Sequence, residues 1–153
     1  REIVVHLSTS AAPKVDNVPS PDLCLQYLVA VLLLDRTVSF RAAHDKTRMT
    51  EPAVMQQRQK VKVVAEQKLE DLLPRRVAVV EIALKNGTKL LEENDTVRGT
   101  PENPMTRDEI VEKARDLIVP VLGAGKSQKL IDTIYAIETL PDVRALRPLL
   151  QPG

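Results

Sequence analysis

Residues able to carry out acid–base chemistry are scarce in this chain of 153 residues, which has two histidines and one cysteine. His44 and Asp45 are adjacent in a polar segment, and an imidazole with an orienting carboxylate forms a general base because imidazole titrates near neutrality. Neighbouring residues usually point apart, so surface hydrogen bonds are the alternative for this pair. His6 has no second ligand at metal-site spacing, and we interpret it as a strand histidine that faces solvent or a neighbour.

Two further patterns resemble catalytic motifs without meeting their requirements. Residues 123–127 imitate the end of a phosphate-binding P-loop, but Pro120 replaces the first glycine and a helical pattern precedes the motif where a strand is needed. The glycines at 123 and 125 are therefore predicted to end one helix, and Ser127 to cap the next. Cys24 has no paired histidine, and one cysteine cannot hold an iron–sulfur cluster, so any lyase chemistry would be cluster-free.

The composition excludes several classes of partner. The formal net charge is +1, so no global field attracts nucleic acid or an anionic membrane. Two tyrosines and one phenylalanine leave no stacking platform for single-stranded nucleic acid. A single cysteine rules out an internal disulfide and fits a reducing, cytoplasmic compartment. No signal peptide is visible, and because the chain begins with Arg1 we expect a fragment of a longer protein.

The apolar run of residues 20–35 is the element that must organise the rest of the chain. Gln26 is the one strongly polar residue between positions 23 and 34, and a helix that is apolar all round must be covered all round. Ser20 is the predicted N-cap. The run is shorter than the about 20 residues that span a bilayer, so we expect the sheet to cover one side. Terminal helices, a second copy or a missing domain would cover the other.

The remaining patterns predict the fold class. The order of strand, helix, short helix, three strands and three helices indicates an α+β two-layer sandwich, with about four mostly antiparallel strands packed against helices. Asn86-Gly87 suits a hairpin turn, and Thr106 with Glu109 forms a capping box. Strands are predicted over residues 2–8, 60–66, 77–85 and 88–95, with helices beginning near residues 20, 51, 106, 127 and 141.

Five blocks, taken in order over nearly the whole chain, resemble the C-terminal region of the MmgE/PrpD family. This family includes 2-methylcitrate dehydratase, cis-aconitate decarboxylase and iminodisuccinate epimerase. Each block has a plain structural reason, so the resemblance depends on their order and spacing. The blocks are CLQYLVAVLLLD at residues 24–35, the Phe40, His44, Asp45 and Arg48 link, VEIALKNGT at 80–88, RGTPENPMTRDEI at 98–110 with Lys113 following, and LPDVRAL at 140–146.

The resemblance implies a small α+β lid that closes over a larger helical domain, usually within a homodimer. It implies a lyase that needs no metal or organic cofactor and removes a proton next to a carboxylate of a small di- or tricarboxylate. The family's catalytic histidines and lysines lie mostly in the helical domain and just before the first strand, so no catalytic residue is carried over. We therefore expect residues 1–153 to form one lid-like domain of a 2-methylcitrate dehydratase-like enzyme, inactive alone.

Two departures from the family pattern bear on this expectation. Asp35-Arg36 stands where the family commonly has Asp-Gly, so we expect that turn to differ. Residues 9–12 lack the tyrosine that decarboxylase-like members place after the first strand, which argues against decarboxylation. An epimerase of the same family, which abstracts a proton without losing water, and a stand-alone protein-interaction module are the alternatives.

The candidates for contact with substrate or with the helical domain are polar residues beside apolar surface or turns. Their alternative roles are buried hydrogen bonds for the two residues in the apolar run and solvation for the other two. These candidates are Gln26, Tyr27, His44 and Arg98.

Overall fold

The computed structural model describes residues 2–151, which contain a four-stranded sheet, seven α-helices and three 3-10 helices. The elements, in chain order, are β1 (Glu2–Ser8), α1 (Ala12–Val15), α2 (Leu25–Asp35), α3 (Phe40–Ala43), α4 (Pro52–Arg58), β2 (Val61–Glu66), α5 (Gln67–Glu70), β3 (Ala78–Ala83), β4 (Lys89–Asn94), α6 (Arg107–Leu122) and α7 (Ala124–Tyr135). Short 3-10 helices span Arg48–Thr50, Ile137–Thr139 and Val143–Leu149.

The sheet confirms the predicted α+β class. Its strand order is β2-β1-β3-β4, with β1 parallel to β2 and antiparallel to β3, and with β3 antiparallel to β4. Ile3 is paired with Val61 on one side and Ile82 on the other. Because side chains alternate between the faces of a strand, these pairs place β-branched residues of three strands on the same face.

Helix α2 packs on that apolar face. Leu25 and Val29 contact the buried cluster of Ile3, Val5 and Val61. A second buried cluster lies on another flank of α2, where its side chains meet α3, the 3-10 helix at Arg48–Thr50 and α4. Its members are Cys24, Tyr27, Ala30, Val31, Ala42, Met49 and Val54. The segment between α2 and β2 therefore supplies a cover for the helix that the sequence did not predict.

The start of α2 differs from the prediction. The helix begins at Leu25 with Cys24 as its N-cap, and no side chain caps it. Ser20 does not serve as the cap, because its hydroxyl donates to the carboxylate of Asp22 while its carbonyl accepts from the Cys24 amide at 2.9 Å. The extended backbone of Cys24, with ψ 102°, separates this turn from the helix.

The end of α2 lies at the turn for which the sequence departs from the family pattern. Arg36 is its C-cap and adopts φ 61°, in the left-handed region that glycine occupies without steric cost. Its amide donates to the carbonyl of Leu32 at 2.9 Å. An arginine here therefore adopts the backbone conformation that favours glycine.

The hairpin and the capping box both form as predicted. In the hairpin, Gly87 has φ 86° and donates its amide to the Leu84 carbonyl. At the start of α6, the Thr106 hydroxyl accepts from the Glu109 amide while the Glu109 carboxylate accepts from the Thr106 amide. Local sequence signals were sufficient for these two features.

The junction of α6 and α7 corrects one prediction. Gly123 ends α6 as predicted, but with φ 76° it is also the N-cap of α7, so Gly125 and Ser127 lie inside the second helix. The Ser127 hydroxyl donates to the Gly123 carbonyl at 2.7 Å instead of capping a later helix. A helix, not a strand, precedes this motif, as the rejection of a P-loop required.

The chain divides into two compact units, residues 1–103 and residues 104–153. The first contains the sheet with α1 to α5, and the second contains α6, α7 and the two last 3-10 helices. That residues 1–153 form one lid-like domain stays a prediction. No helix within residues 2–151 has the length and apolar character needed to cross a membrane.

Replacing Gly87 by alanine should destabilise the protein by about 1 kcal/mol, because alanine is strained at positive φ. Nothing lies within 4 Å of the added Cβ, so the cost comes from the backbone and not from a clash. Urea unfolding monitored by circular dichroism measures the change. The matched control is Gly125→Ala, also without a contact within 4 Å but inside α7, which should leave stability equal or higher. Equal stability of Gly87→Ala and wild type would contradict the strain argument.

Candidate functional site

Gln26 is positioned on the first turn of α2 and is almost completely buried. Its amide nitrogen donates to Asp16 Oδ1 at 2.6 Å, and its Oε1 accepts from the Asn17 amide at 2.9 Å. Asn17 has a positive φ of 51°, so Gln26 satisfies the amide of a turn that carries a left-handed residue. The side chain therefore fixes the segment after α1 against α2.

Tyr27 is fully buried and links α2 to the segment that carries His44. Its hydroxyl donates to the carbonyl of Ala42 at 2.6 Å and contacts the carbonyl of Asp45 at 3.3 Å. Burial raises the pKa of the Tyr27 hydroxyl, so it remains a donor. Because the two carbonyls bracket residues 43–44, Tyr27 and His44 are brought together through the backbone.

His44 itself is exposed beside Phe40. The two ring centroids lie 4.1 Å apart, and His44 Nδ1 is 2.8 Å from the Phe40 carbonyl oxygen. A carbonyl can only accept, so Nδ1 carries a proton, and in the neutral ring Nε2 is then an acceptor. The ring is thus oriented with its second nitrogen available, which is the geometry that a general base or a hydrogen-bonding contact requires.

A bidentate ion pair anchors the other end of this segment. Arg48 Nη1 and Nη2 donate to the two carboxylate oxygens of Asp35, the last residue of α2, at 2.6 and 2.7 Å. The pKa of Asp35 is lowered by this hydrogen-bonded pairing, and the pKa of Arg48 is raised by it. The Arg48 amide also donates to Asp45 Oδ1 at 3.0 Å, so Asp45 orients the backbone after His44 instead of the imidazole.

Arg98 lies elsewhere in the first unit, on the loop that follows β4. Its Nη1 donates to Asn103 Oδ1 at 2.6 Å, and Asn103 in turn donates to the Thr96 carbonyl at 3.3 Å. The structure therefore groups Gln26, Tyr27 and His44 around α2 and places Arg98 in a different loop. Contact of any of the four with substrate stays a prediction.

His6 belongs to a cluster of titratable groups that sequence reasoning missed. Its Nδ1 donates to Glu66 Oε1 at 2.5 Å, and its Nε2 lies 3.4 Å from Glu81 Oε1 without a hydrogen bond inside the described residues. The pKa of Glu66 is lowered first by Lys68 and then by His6. Only the register of β1 with β2 and β3 could have revealed the cluster. Among residues 2–151, no three histidine, cysteine or acidic side chains converge as a possible metal site.

Several large apolar side chains are exposed at the end of α2. Leu32, Leu33 and Leu34 are 48, 47 and 40% exposed, and Phe40 on α3 is 55% exposed. Water in contact with so much apolar surface is unfavourable, and exposed apolar surface is typical of interaction sites. We call Leu32, Leu33, Leu34 and Phe40 the leucine surface.

The described residues define an α+β fold in which an exposed apolar helix end and an oriented imidazole belong to the same unit. The chain belongs to the MmgE/PrpD family, since residues 1–139 match the MmgE/PrpD C-terminal domain. A C-terminal domain of a multidomain family implies an N-terminal partner domain. No curated protein matches the sequence.

Replacing Tyr27 by phenylalanine should destabilise the protein by about 1 to 2 kcal/mol, because the buried hydrogen bond from its hydroxyl to the Ala42 carbonyl is lost. Chemical denaturation at pH 7 measures the loss. Tyr135→Phe is the matched control, since Tyr135 is an exposed residue whose hydroxyl makes no hydrogen bond among residues 2–151. Equal effects of the two variants would show that the Tyr27 hydroxyl does not hold this segment.

The Asp35–Arg48 pair should stabilise the protein only where Asp35 is ionised. The folded-state pKa of Asp35 lies below its ordinary value, so this contribution is present above about pH 4 and is lost as pH falls through the folded pKa. The variant Asp35→Asn should therefore unfold at lower urea concentration at pH 7, with the difference from wild type shrinking in acid. Asp95→Asn is the comparison, because its single contact with Arg75 at 3.1 Å is well exposed and should contribute little. A pH-independent difference for Asp35→Asn would contradict the assignment.

Proposed function

We propose that this chain acts as the lid domain of a cofactor-independent MmgE/PrpD lyase, working on small di- or tricarboxylates in the manner of a 2-methylcitrate dehydratase. The N-terminal helical domain supplies the catalytic residues, and the complete enzyme is a cytoplasmic homodimer. The chain alone is inactive. The observation that carries the proposal is the leucine surface of a domain whose family implies an N-terminal partner.

The chemistry sets what a lid must contribute. Removing a proton next to a carboxylate, with loss of water, requires a base, an acid for the leaving hydroxyl and cations that hold the carboxylates. These groups act strongly only where bulk water is excluded, because electrostatic interactions strengthen in a low dielectric. A closing domain provides that exclusion when its apolar surface seals against the partner.

His44 is the residue of this chain best placed to act at such a contact. Its ring is exposed, oriented through the Phe40 carbonyl, and held from inside the fold by Tyr27. A partner that covers Phe40 also covers His44, since the rings are in contact. We therefore place His44 at the interface with the N-terminal domain, where it contacts that domain or the substrate.

A stand-alone interaction module is the second candidate function, because the leucine surface suits binding of any apolar partner. An epimerase of the same family is the third, since it needs the same proton abstraction without loss of water. The two enzymatic candidates differ in their products, and the module differs in having no activity in any context.

The test assays the full-length protein for dehydration of 2-methylcitrate and for epimerisation of iminodisuccinate, with the 153-residue chain measured beside it. We expect dehydration by the full-length protein and none by the chain. Leu33→Glu in the full-length protein should lower activity at least about tenfold, because a buried unpaired carboxylate opposes closure. Leu91→Glu, which alters an exposed leucine of β4, is the matched control and should retain activity.

Each of the other possible results would assign a different function to the protein. Epimerisation without dehydration would replace the dehydratase proposal with the epimerase. Turnover by the chain alone would refute its role as a lid, and a folded full-length protein with neither activity would favour the interaction module. Full activity of Leu33→Glu would show that the leucine surface does not contact the N-terminal domain.

A further inference from the structure

A cavity of about 540 Å³, open to solvent and lined mostly by exposed residues, lies at the base of the β3–β4 hairpin within the first unit. One wall comes from the loop before β3 and the other from the segment after β4. This volume lies in the range of small-molecule sites. Its lining residues are Pro74, Arg75, Arg76, Asp95, Thr96, Val97, Thr100 and Glu102.

Some of the charged groups around this cavity have an ion-pair partner, and others do not. Arg75 donates to Asp95 at 3.1 Å, so these two charges meet each other. Arg76 and Glu102 face the same space but make no ion pair or side-chain hydrogen bond among residues 2–151. One guanidinium and one carboxylate are therefore available to a ligand from the two walls.

Two threonines add neutral hydrogen-bonding groups to the same space. Thr96 and Thr100 use their backbone groups within the loop, with the Thr96 amide donating to Asn94 Oδ1 and the Thr100 carbonyl accepting from the Asn103 amide. Their hydroxyls have no partner within the described part of the chain. Each hydroxyl can both donate and accept, so it can bind either end of a small polar molecule.

We propose that this cavity binds a small carboxylate that carries a hydrogen-bond donor, either a hydroxyl or an ammonium group, next to its carboxylate. Arg76 binds the carboxylate, because a guanidinium matches its geometry with two parallel hydrogen bonds. Glu102 accepts from the donor group, and the hydroxyls of Thr96 and Thr100 complete the contacts. The proposal does not depend on the lyase function, since it concerns groups within this chain alone.

The probes are succinate, L-malate and L-aspartate, which share a four-carbon skeleton and differ in one substituent. Titration of the 153-residue chain, followed by amide chemical shifts in NMR, gives the affinity and the location of binding. We expect saturable shifts at Arg76, Thr96 and Thr100, with malate or aspartate binding more tightly than succinate. Sulfate at matched ionic strength controls for an unspecific anion effect.

Two variants assign the roles. Arg76→Gln should weaken binding of all three probes about tenfold, because a charge-assisted bidentate contact is lost. Glu102→Gln should leave succinate binding equal or stronger and should remove the preference for aspartate. The matched controls are Arg41→Gln and Glu92→Gln, which alter exposed charges without an ion pair among residues 2–151 and should change nothing.

Several results would overturn the proposal. Equal loss of binding in Arg76→Gln and Arg41→Gln, or sulfate shifts equal to those of malate, would show an unspecific effect of charge. Equal affinity for succinate, malate and aspartate would show that the donor group of the ligand does not contribute to binding, and it would refute the role of Glu102. Absence of saturable shifts with every probe would refute the site, whereas the lyase assay on the full-length protein would stand unaffected.

Discussion

A helix that is apolar on every side gains stability only when every side is covered, and α2 imposes this condition on the first unit. The sheet covers Leu25 and Val29 through the cluster of Ile3, Val5 and Val61. The segment that carries α3 and α4 wraps a second flank and buries Tyr27, Ala30 and Val31. What stays exposed is the leucine surface, so the condition is met on two sides of the helix and not at its C-terminal end.

The wrapping segment is held by polar contacts as well as by burial, and it contributes few large apolar side chains to the cluster. Its buried members, Ala42, Met49 and Val54, are modest in size or flexible. The Tyr27 hydroxyl and the Asp35–Arg48 pair fix the first half of this segment, between Ala42 and Arg48, to α2. Hydrogen bonds are directional and apolar contacts are not, so this arrangement sets the position of the segment and not only its burial. The orientation of His44 therefore follows from a residue in the core.

The parts of the fold that could be predicted are those with local causes. The hairpin follows from Asn86-Gly87, the start of α6 from the Thr106 capping box, and β1 from its β-branched residues. The predictions of two helix caps, Ser20 and Ser127, were wrong because a nearby group took the predicted role or the predicted partner. Ser20 gives its hydroxyl to Asp22, and Gly123 lets α7 begin at once, leaving Ser127 inside the helix.

The candidate site was less predictable because its contacts join distant positions. A polar residue in an apolar run, such as Gln26 or Tyr27, signals that some partner exists, but Asp16 and Ala42 could not be named from the sequence. His6 and Glu66 lie 60 residues apart and meet only through strand register. His44 was identified by type, but its hydrogen-bond partner could not be named: the Asp45 carboxylate accepts from the Arg48 amide, and the Phe40 carbonyl orients the imidazole.

The exposed leucine surface and the oriented imidazole of His44 belong to the same unit, and both would change if a partner excluded water from them. An imidazole in water competes with solvent for every proton it could transfer, and its contacts are screened by a high dielectric. Phe40 belongs to the leucine surface and lies against His44. Burial that would stabilise the leucine surface would therefore also remove water from His44. In the proposed closure on a partner domain, the same contact would complete the cover of α2 and exclude water from His44.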